Sequence, residues 1–266
     1  MLKQTHIPRQ IIEIDGHPTT HAITGGGDAV LLLHGWGVEI SMVWPLAAKL
    51  AALGYRVYAL DLPGFGDTPP PPVVWTVFDY AAFVRRYMDA VGLERAHLFG
   101  HSFGGRLGLI LGAEHPERLN KMALAGSAGL RSAPPWTARA RLRMYKLFRS
   151  GLQSVRLSKL AENLQKCYNE KYGSADFKAA EGVMRQTFVN VVNQDLRDYA
   201  RRVAVPTLLI WGADDADTPL QHGEMLERLI PDAGLVVYPS AGHYAYLEHV
   251  QQTAQAIHAL FGSSES

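Results

Sequence analysis

Ser102 lies in Gly100-His101-Ser102-Phe103-Gly104, after the apolar run Ala96 to Phe99 and before a helix-like stretch from Gly105 to Ala113. This fits G-x-S-x-G at a strand-to-helix turn, the nucleophile elbow. There a sharp turn forces a strained backbone at the serine, and the glycines leave room for it. The chemistry such a residue can do is attack on an electrophilic carbon. A serine hydroxyl is a poor nucleophile at neutral pH, so it needs a base within hydrogen-bond reach, and the base needs an orienting acid.

Both partners occur later in the chain, in the order serine, acid, histidine. The apolar run Thr207 to Trp211 is followed by Gly212-Ala213-Asp214-Asp215-Ala216-Asp217-Thr218-Pro219, a turn with three carboxylates, any of which could be the acid. Ser240-Ala241-Gly242-His243 follows the next run, which makes His243 the expected base. His222, His249 and His258 fall in helical patterns and read as surface or core residues. His97 and His101 span a strand and the elbow, so they cannot present two metal ligands on one helical face. No metal site and no cofactor site is expected. An oxyanion formed at the attacked carbon needs preorganised N–H donors. One is expected from Phe103, the residue after the nucleophile. The second is expected from Trp36 in His34-Gly35-Trp36-Gly37, whose indole could also line the pocket. His34 is read as a structural hydrogen-bonding residue beneath that loop.

These residues need a scaffold, and the hydrophobic pattern predicts one. Short β-rich runs alternate with longer helical patterns, the signature of a mainly parallel sheet with helices on both faces. Strands are expected at Gln10–Ile14, Thr20–Thr24, Val30–Leu33, Val57–Leu60, Ala96–Phe99, Met122–Ala125, Thr207–Trp211 and Leu235–Tyr238, the first pair forming a hairpin about Asp15-Gly16. Helices are expected near Met42–Ala52, Val77–Val91, Phe103–Ala113, Leu220–Leu229 and Tyr246–Leu260. The reading is thus an α/β fold: an eight-stranded, mostly parallel sheet with an inserted helical lid. Residues 1–126 and 204–266 form the core and 127–203 the lid. Within the lid, Phe177, Ala180, Val183, Met184, Phe188 and Val191 form an apolar stripe expected on one helix, and Pro134-Pro135 marks a hinge-like break. Thr68 to Pro72 reads as a stiff connector.

The 266 residues are 47% hydrophobic and 19% charged, with a net charge of +1, which suits one globular domain rather than disorder. No stretch is apolar enough to cross a bilayer, and Met1 to Glu13 lacks the apolar core of a signal peptide, so a cytoplasmic location is expected. The lone Cys167 has no partner for an internal disulfide and no neighbouring base. The charge is uneven: Arg131, Arg139, Arg141, Arg143, Lys146, Arg149, Arg156 and Lys159 fall in a stretch, Ser127 to Ala161, that contains no acid. That stretch reads as a solvated basic face or as a site that attracts an anionic substrate or surface. No nucleic-acid motif accompanies it.

Taken together, H-G-W-G at 34–37, D-L-P-G-F-G at 61–66, G-H-S-F-G-G at 100–105, W-G-x-x-D-x-x-x-P at 211–219 and G-H at 242–243 resemble the α/β-hydrolase superfamily over nearly the whole chain. The resemblance implies a Ser102–Asp215–His243 triad, because the W-G-x-x-D aspartate falls on Asp215. It also implies no cofactor and a small-molecule ester or related carbonyl substrate. Relatives that are haloalkane dehalogenases or epoxide hydrolases carry aspartate at the elbow, and Ser102 argues against both. Ring-fission carbon–carbon hydrolases share the A-G-H-x-x-x-x-E-H stretch from Ala241 to His249. They usually have asparagine before the serine and tryptophan after the histidine, where this chain has His101 and Tyr244. The departures favour a carboxylesterase, with a carbon–carbon hydrolase or a triad-bearing small-molecule receptor as alternatives. Glu248 is expected to anchor the final helix. The oligomeric state is open.

Overall fold

The computed structural model describes residues 6–131, 136–154, 157–172 and 174–262. Pro134-Pro135 and Arg156 lie outside the described residues. Eight strands form one sheet: β1 (Arg9–Ile14), β2 (His17–Gly25), β3 (Asp28–Leu33), β4 (Tyr55–Leu60), β5 (Ala96–His101), β6 (Leu119–Ala125), β7 (Thr207–Gly212) and β8 (Ala233–Tyr238). All eight expected strands are present. Asp15 and Gly16 make the two-residue turn between β1 and β2 with φ of 50° and 77°, the left-handed geometry that matches strand twist. β2 runs antiparallel to both β1 and β4, and the pairings from β4 through β3 to β8 are parallel.

The strand order is β1-β2-β4-β3-β5-β6-β7-β8. The chain leaves β3 for β4 on one side and returns to β5 on the other, so the topology switches direction between β3 and β5. In open α/β sheets a crevice forms at such a point, outside the C-terminal strand ends. The loop after β3 carries Trp36, and β5 ends at the Ser102 elbow.

Strand side chains alternate between two cores. Leu31, Leu33, Leu98, Leu124 and Leu209 point to one face, packed with α2 (Val77–Ala90), α3 (Phe103–Glu114) and α9 (Leu220–Leu229). Val30, Leu32, Phe99, Ala123 and Ile210 point to the other, packed with α1 (Ile40–Ala52) and α11 (Val250–Gly262). The period-2 alternation of strands buried on both faces explains why their sequences are almost wholly apolar. α2 starts with a reciprocal capping box between Thr76 and Asp79.

Between β6 and β7 lie α4 (Trp136–Ser154), α5 (Ser158–Tyr172), α6 (Ala175–Ala179), α7 (Gly182–Asn193) and α8 (Arg197–Ala200). The apolar stripe expected on one helix is divided between α6 and α7. Ala180 and Glu181 are extended and Gly182 has φ 49°, so the chain breaks where the least helix-favouring residue of the stretch stands. Arg185 Nε donates to the Ala180 carbonyl at 2.9 Å and satisfies an acceptor that the break leaves open. Ala180, Met184, Phe188 and Val191 are nevertheless buried. The last helical pattern is likewise two helices, α10 (Ala245–Glu248) and α11. His249 sits between them rather than inside a helix, stacked on Tyr238 with ring centroids 4.6 Å apart.

Candidate active site

Ser102 caps the N-terminus of α3 with φ 50° and ψ −103°, a conformation costly for a residue with a side chain and sustained only when its surroundings hold it. Its N–H donates to the Ala125 carbonyl at 3.0 Å, and its own carbonyl accepts from Arg106 and Ala128, both at 3.2 Å. The neighbouring glycines are required by contact. A Cβ at Gly100 would sit 2.5 Å from the Gly104 carbonyl oxygen, and one at Gly104 would strike the Leu33 carbonyl of β3. The Gly104 N–H donates to His34 O at 3.0 Å and ties the elbow to the loop after β3.

Of the three carboxylates after β7, the fold selects Asp215. It is buried, and its Oδ2 lies 2.9 Å from His243 Nδ1, whereas Asp214 and Asp217 are exposed. Asp215 Oδ1 accepts from the N–H groups of Asp217 and Thr218 at 2.9 and 2.8 Å, and Oδ2 accepts from the Thr218 hydroxyl at 2.8 Å. Burial would raise the pKa of this carboxyl, but the hydrogen bonds from His243 and Thr218 hold it below the ordinary value. A carboxylate on Nδ1 fixes the proton there and leaves Nε2 as the basic nitrogen. Glu248 accepts the Gly242 N–H at 3.0 Å and so fastens the histidine's loop to α10.

Two further histidines brace the site. His34 is fully buried, with Nδ1 donating to Gly35 O at 2.7 Å and Nε2 accepting the Leu62 N–H at 2.9 Å. These bonds need the neutral ring, and burial brings its pKa down to about 4. This is the structural role expected of it. His101 Nε2 donates to the His243 carbonyl at 3.0 Å, and burial with His243 close by lowers its pKa to about 3.

A cavity of about 420 Å³ opens over the elbow, lined by Ser102, Phe103, Trp36 and His243. The four cavity residues singled out from sequence therefore meet, with Asp215 directly behind His243. Among the described residues no hydrogen bond joins Ser102 Oγ to His243, and neither the Trp36 nor the Phe103 N–H has a protein acceptor. Phe103 opens α3, where the first N–H groups of a helix have no intrahelical acceptor. The Trp36 indole packs edge-on to Phe65 and Phe103, with ring centroids at 4.8 and 5.2 Å. Among the described residues no His, Cys, Asp or Glu cluster could hold a metal ion.

Sequence reasoning missed three residues. Thr218 holds the acid. His222, read as a surface or core residue, lines the cavity. Arg106 also lines it, one helical turn after Ser102; it is only 6% exposed, and burial lowers its pKa to about 10. Its Nη1 donates to Gln194 O at 2.9 Å, and among the described residues it forms no ion pair. Position four after the nucleophile, on the same helical face, was the signal that could have found it.

The family model for the alpha/beta hydrolase fold matches residues 28–250. The chain belongs to that family. It is 30% identical over 254 residues to the 2-hydroxy-6-oxo-6-phenylhexa-2,4-dienoate hydrolase of Burkholderia cepacia, covering 85% of this chain and 84% of that one. Among solved structures it is similar to a serine hydrolase involved in carbazole degradation, with a TM-score of 0.73, 25% identity and coverage of 97% and 99%. An esterase from Exiguobacterium antarcticum shares the fold at a TM-score of 0.72 and 22% identity, covering 95% of this chain and 98% of its own.

Proposed function

We propose that this protein is a serine hydrolase that cleaves a carbon–carbon bond in an anionic ring-fission-type substrate, a 2-hydroxy-6-oxohexa-2,4-dienoate. This replaces the carboxylesterase expected from sequence with its alternative. The observation that carries the reading is the pairing, in one cavity, of Ser102 and His243 with Arg106, a buried cation that lacks an ion-pair partner among the described residues. A buried guanidinium gains most from an anion that enters and pairs with it. The similarity to a dienoate hydrolase points to the same substrate class.

In this mechanism His243 Nε2 takes the Ser102 proton as Oγ adds to the ketone carbon, while Asp215 steadies the imidazolium. The Trp36 and Phe103 N–H groups stabilise the oxyanion. Collapse breaks the carbon–carbon bond. Before cleavage the substrate's 2-hydroxyl proton passes to C5, which makes that carbon tetrahedral and conjugates C3=C4 with a 2-oxo group. The electron pair of the broken C5–C6 bond then spreads to the 2-oxygen beside the carboxylate held by Arg106, and that oxygen takes the proton from His243. Water, deprotonated by His243, then releases the acyl group as a carboxylic acid. Overall one water is consumed: hydroxyl to the acyl fragment, hydrogen to the dienoate fragment. The helices α4 to α8 serve as the lid over this cavity.

A second reading, a carboxylesterase, is favoured by His101 and Tyr244 in place of the asparagine and tryptophan usual in ring-fission hydrolases. The test is to compare kcat/KM for 2-hydroxy-6-oxo-6-phenylhexa-2,4-dienoate and for p-nitrophenyl acetate. Preference for the dienoate by a factor of about 10² or more supports carbon–carbon cleavage, on the scale of one buried charged pairing. Turnover of the ester alone assigns the esterase.

A further inference from the structure

α4 carries Arg139, Arg141, Arg143, Lys146 and Arg149 and no acid. Its apolar side chains are not covered: Trp136 is 75% exposed, Met144 59%, Leu147 66% and Phe148 64%. Met144, Leu147, Phe148 and Gly151 recur at spacings of three and four, so they share one face. Arg143 borders that face on one side, with Arg139 and Lys146 further round the same side of the helix. On the other side the helix is occupied by α5, through Tyr145 stacked on Tyr168 at 4.1 Å and Arg141 over the Tyr172 ring at 4.0 Å. α4 is therefore half of a helical hairpin with an open apolar strip edged by cations.

We propose that this face of α4 docks on an anionic lipid bilayer surface, independently of which bond the enzyme cleaves. An amphipathic helix with aromatic and aliphatic residues on one face and a cationic flank lies in the plane of a membrane interface, its apolar side sunk among the acyl chains and its cations at the headgroups. Charge complementarity selects the occupant. A second copy of α4 would set like charges against like, with no acid on either helix to offset them. A groove that wraps a helix from both sides is blocked by α5, whereas a flat surface meets the open face directly. The hairpin lies in the same β6-to-β7 segment as α7, whose Phe188 and Val191 line the cavity.

The test is co-sedimentation of the full chain with vesicles of phosphatidylcholine alone and of equal parts phosphatidylcholine and phosphatidylglycerol. The protein is expected to pellet with the mixed vesicles, to stay in solution with the neutral ones, and to be released by high salt. Leu147→Glu with Phe148→Glu, and separately Arg143→Glu with Lys146→Glu, should each lower the partition coefficient about tenfold or more with the melting temperature unchanged. All four side chains are exposed, so these variants fold. No pelleting with mixed vesicles overturns the proposal, as does pelleting unaffected by Leu147→Glu with Phe148→Glu. A dimer in light scattering that this pair of changes dissolves, without vesicle binding, assigns the face to a second copy. Binding to polyglutamate as tight as to vesicles, and insensitive to the apolar changes, reduces it to charge attraction alone.

Discussion

His101 and His243 pack with ring centroids 4.8 Å apart, and His101 Nε2 donates to the His243 backbone carbonyl at 3.0 Å. The residue before the proposed nucleophile thus holds the loop that carries the proposed base, which makes His101 a positioning residue in that reading. His101→Asn, whose amide can still donate, should keep most of kcat. His101→Phe should lower kcat about tenfold, one lost positioning hydrogen bond, with KM little changed. Equal loss in both variants would assign His101 to packing alone.

Asp215→Asn should lower kcat by about 10³–10⁴-fold, since the amide disturbs the tautomer that His243 must hold. Asp214→Asn and Asp217→Asn should retain turnover, because both carboxylates are exposed and neither bonds to His243. Steady-state kinetics on the three variants checks the choice of acid directly.

The order of the fold and the juxtaposition of Ser102, His243 and Asp215 were readable from the chain because they depend on local signals. Runs such as Val30–Leu33 and Met122–Ala125 are buried on both faces and so wholly apolar, and Gly100 and Gly104 are fixed by backbone contacts within a few residues or with an adjacent strand. Thr218 and His222 were not readable as cavity residues, because a turn and a helix bring them there by tertiary packing, whereas Arg106 was marked only by its place one helical turn after Ser102. The break between α6 and α7 escaped the 3.6-residue pattern, since apolar spacing continues across Ala180 while the backbone does not. Choosing between ester and carbon–carbon cleavage rested on His101 and Tyr244, two residues that do not themselves break a bond.

Stability should fall with acid through three buried histidines, His34 and His101 at the site and His97, whose pKa burial lowers to about 4. His34 and His101 stay neutral in the fold down to about pH 4 and 3, whereas the unfolded chain takes up protons near 6.5. Below 6.5 the unfolded state binds more protons, so stability is full above that pH and declines as pH falls, by as much as ~1.4 kcal/mol per pH unit for each ring. Urea denaturation at pH 7 and pH 5 should show the loss, and His34→Asn should flatten the slope.

Arg106→Met should raise KM for the dienoate about tenfold to a hundredfold, the scale of a hydrogen bond to a charged group, and leave KM for the neutral p-nitrophenyl acetate nearly unchanged. A parallel rise for both substrates would mean that Arg106 only shapes the cavity.

Gly104→Ala should destabilise the fold by about 2 kcal/mol or more, because the new methyl meets the Leu33 backbone rather than a flexible side chain. Thermal unfolding would register this as a drop of several degrees.

The central claim is that Ser102 is the nucleophile. Its most direct measurement is mass spectrometry of the protein after reaction with a fluorophosphonate, on the wild-type chain and on Ser102→Ala. A single phosphonyl adduct on the peptide containing Ser102, absent from the variant, is the predicted result. An adduct of equal yield at another residue in Ser102→Ala would contradict it.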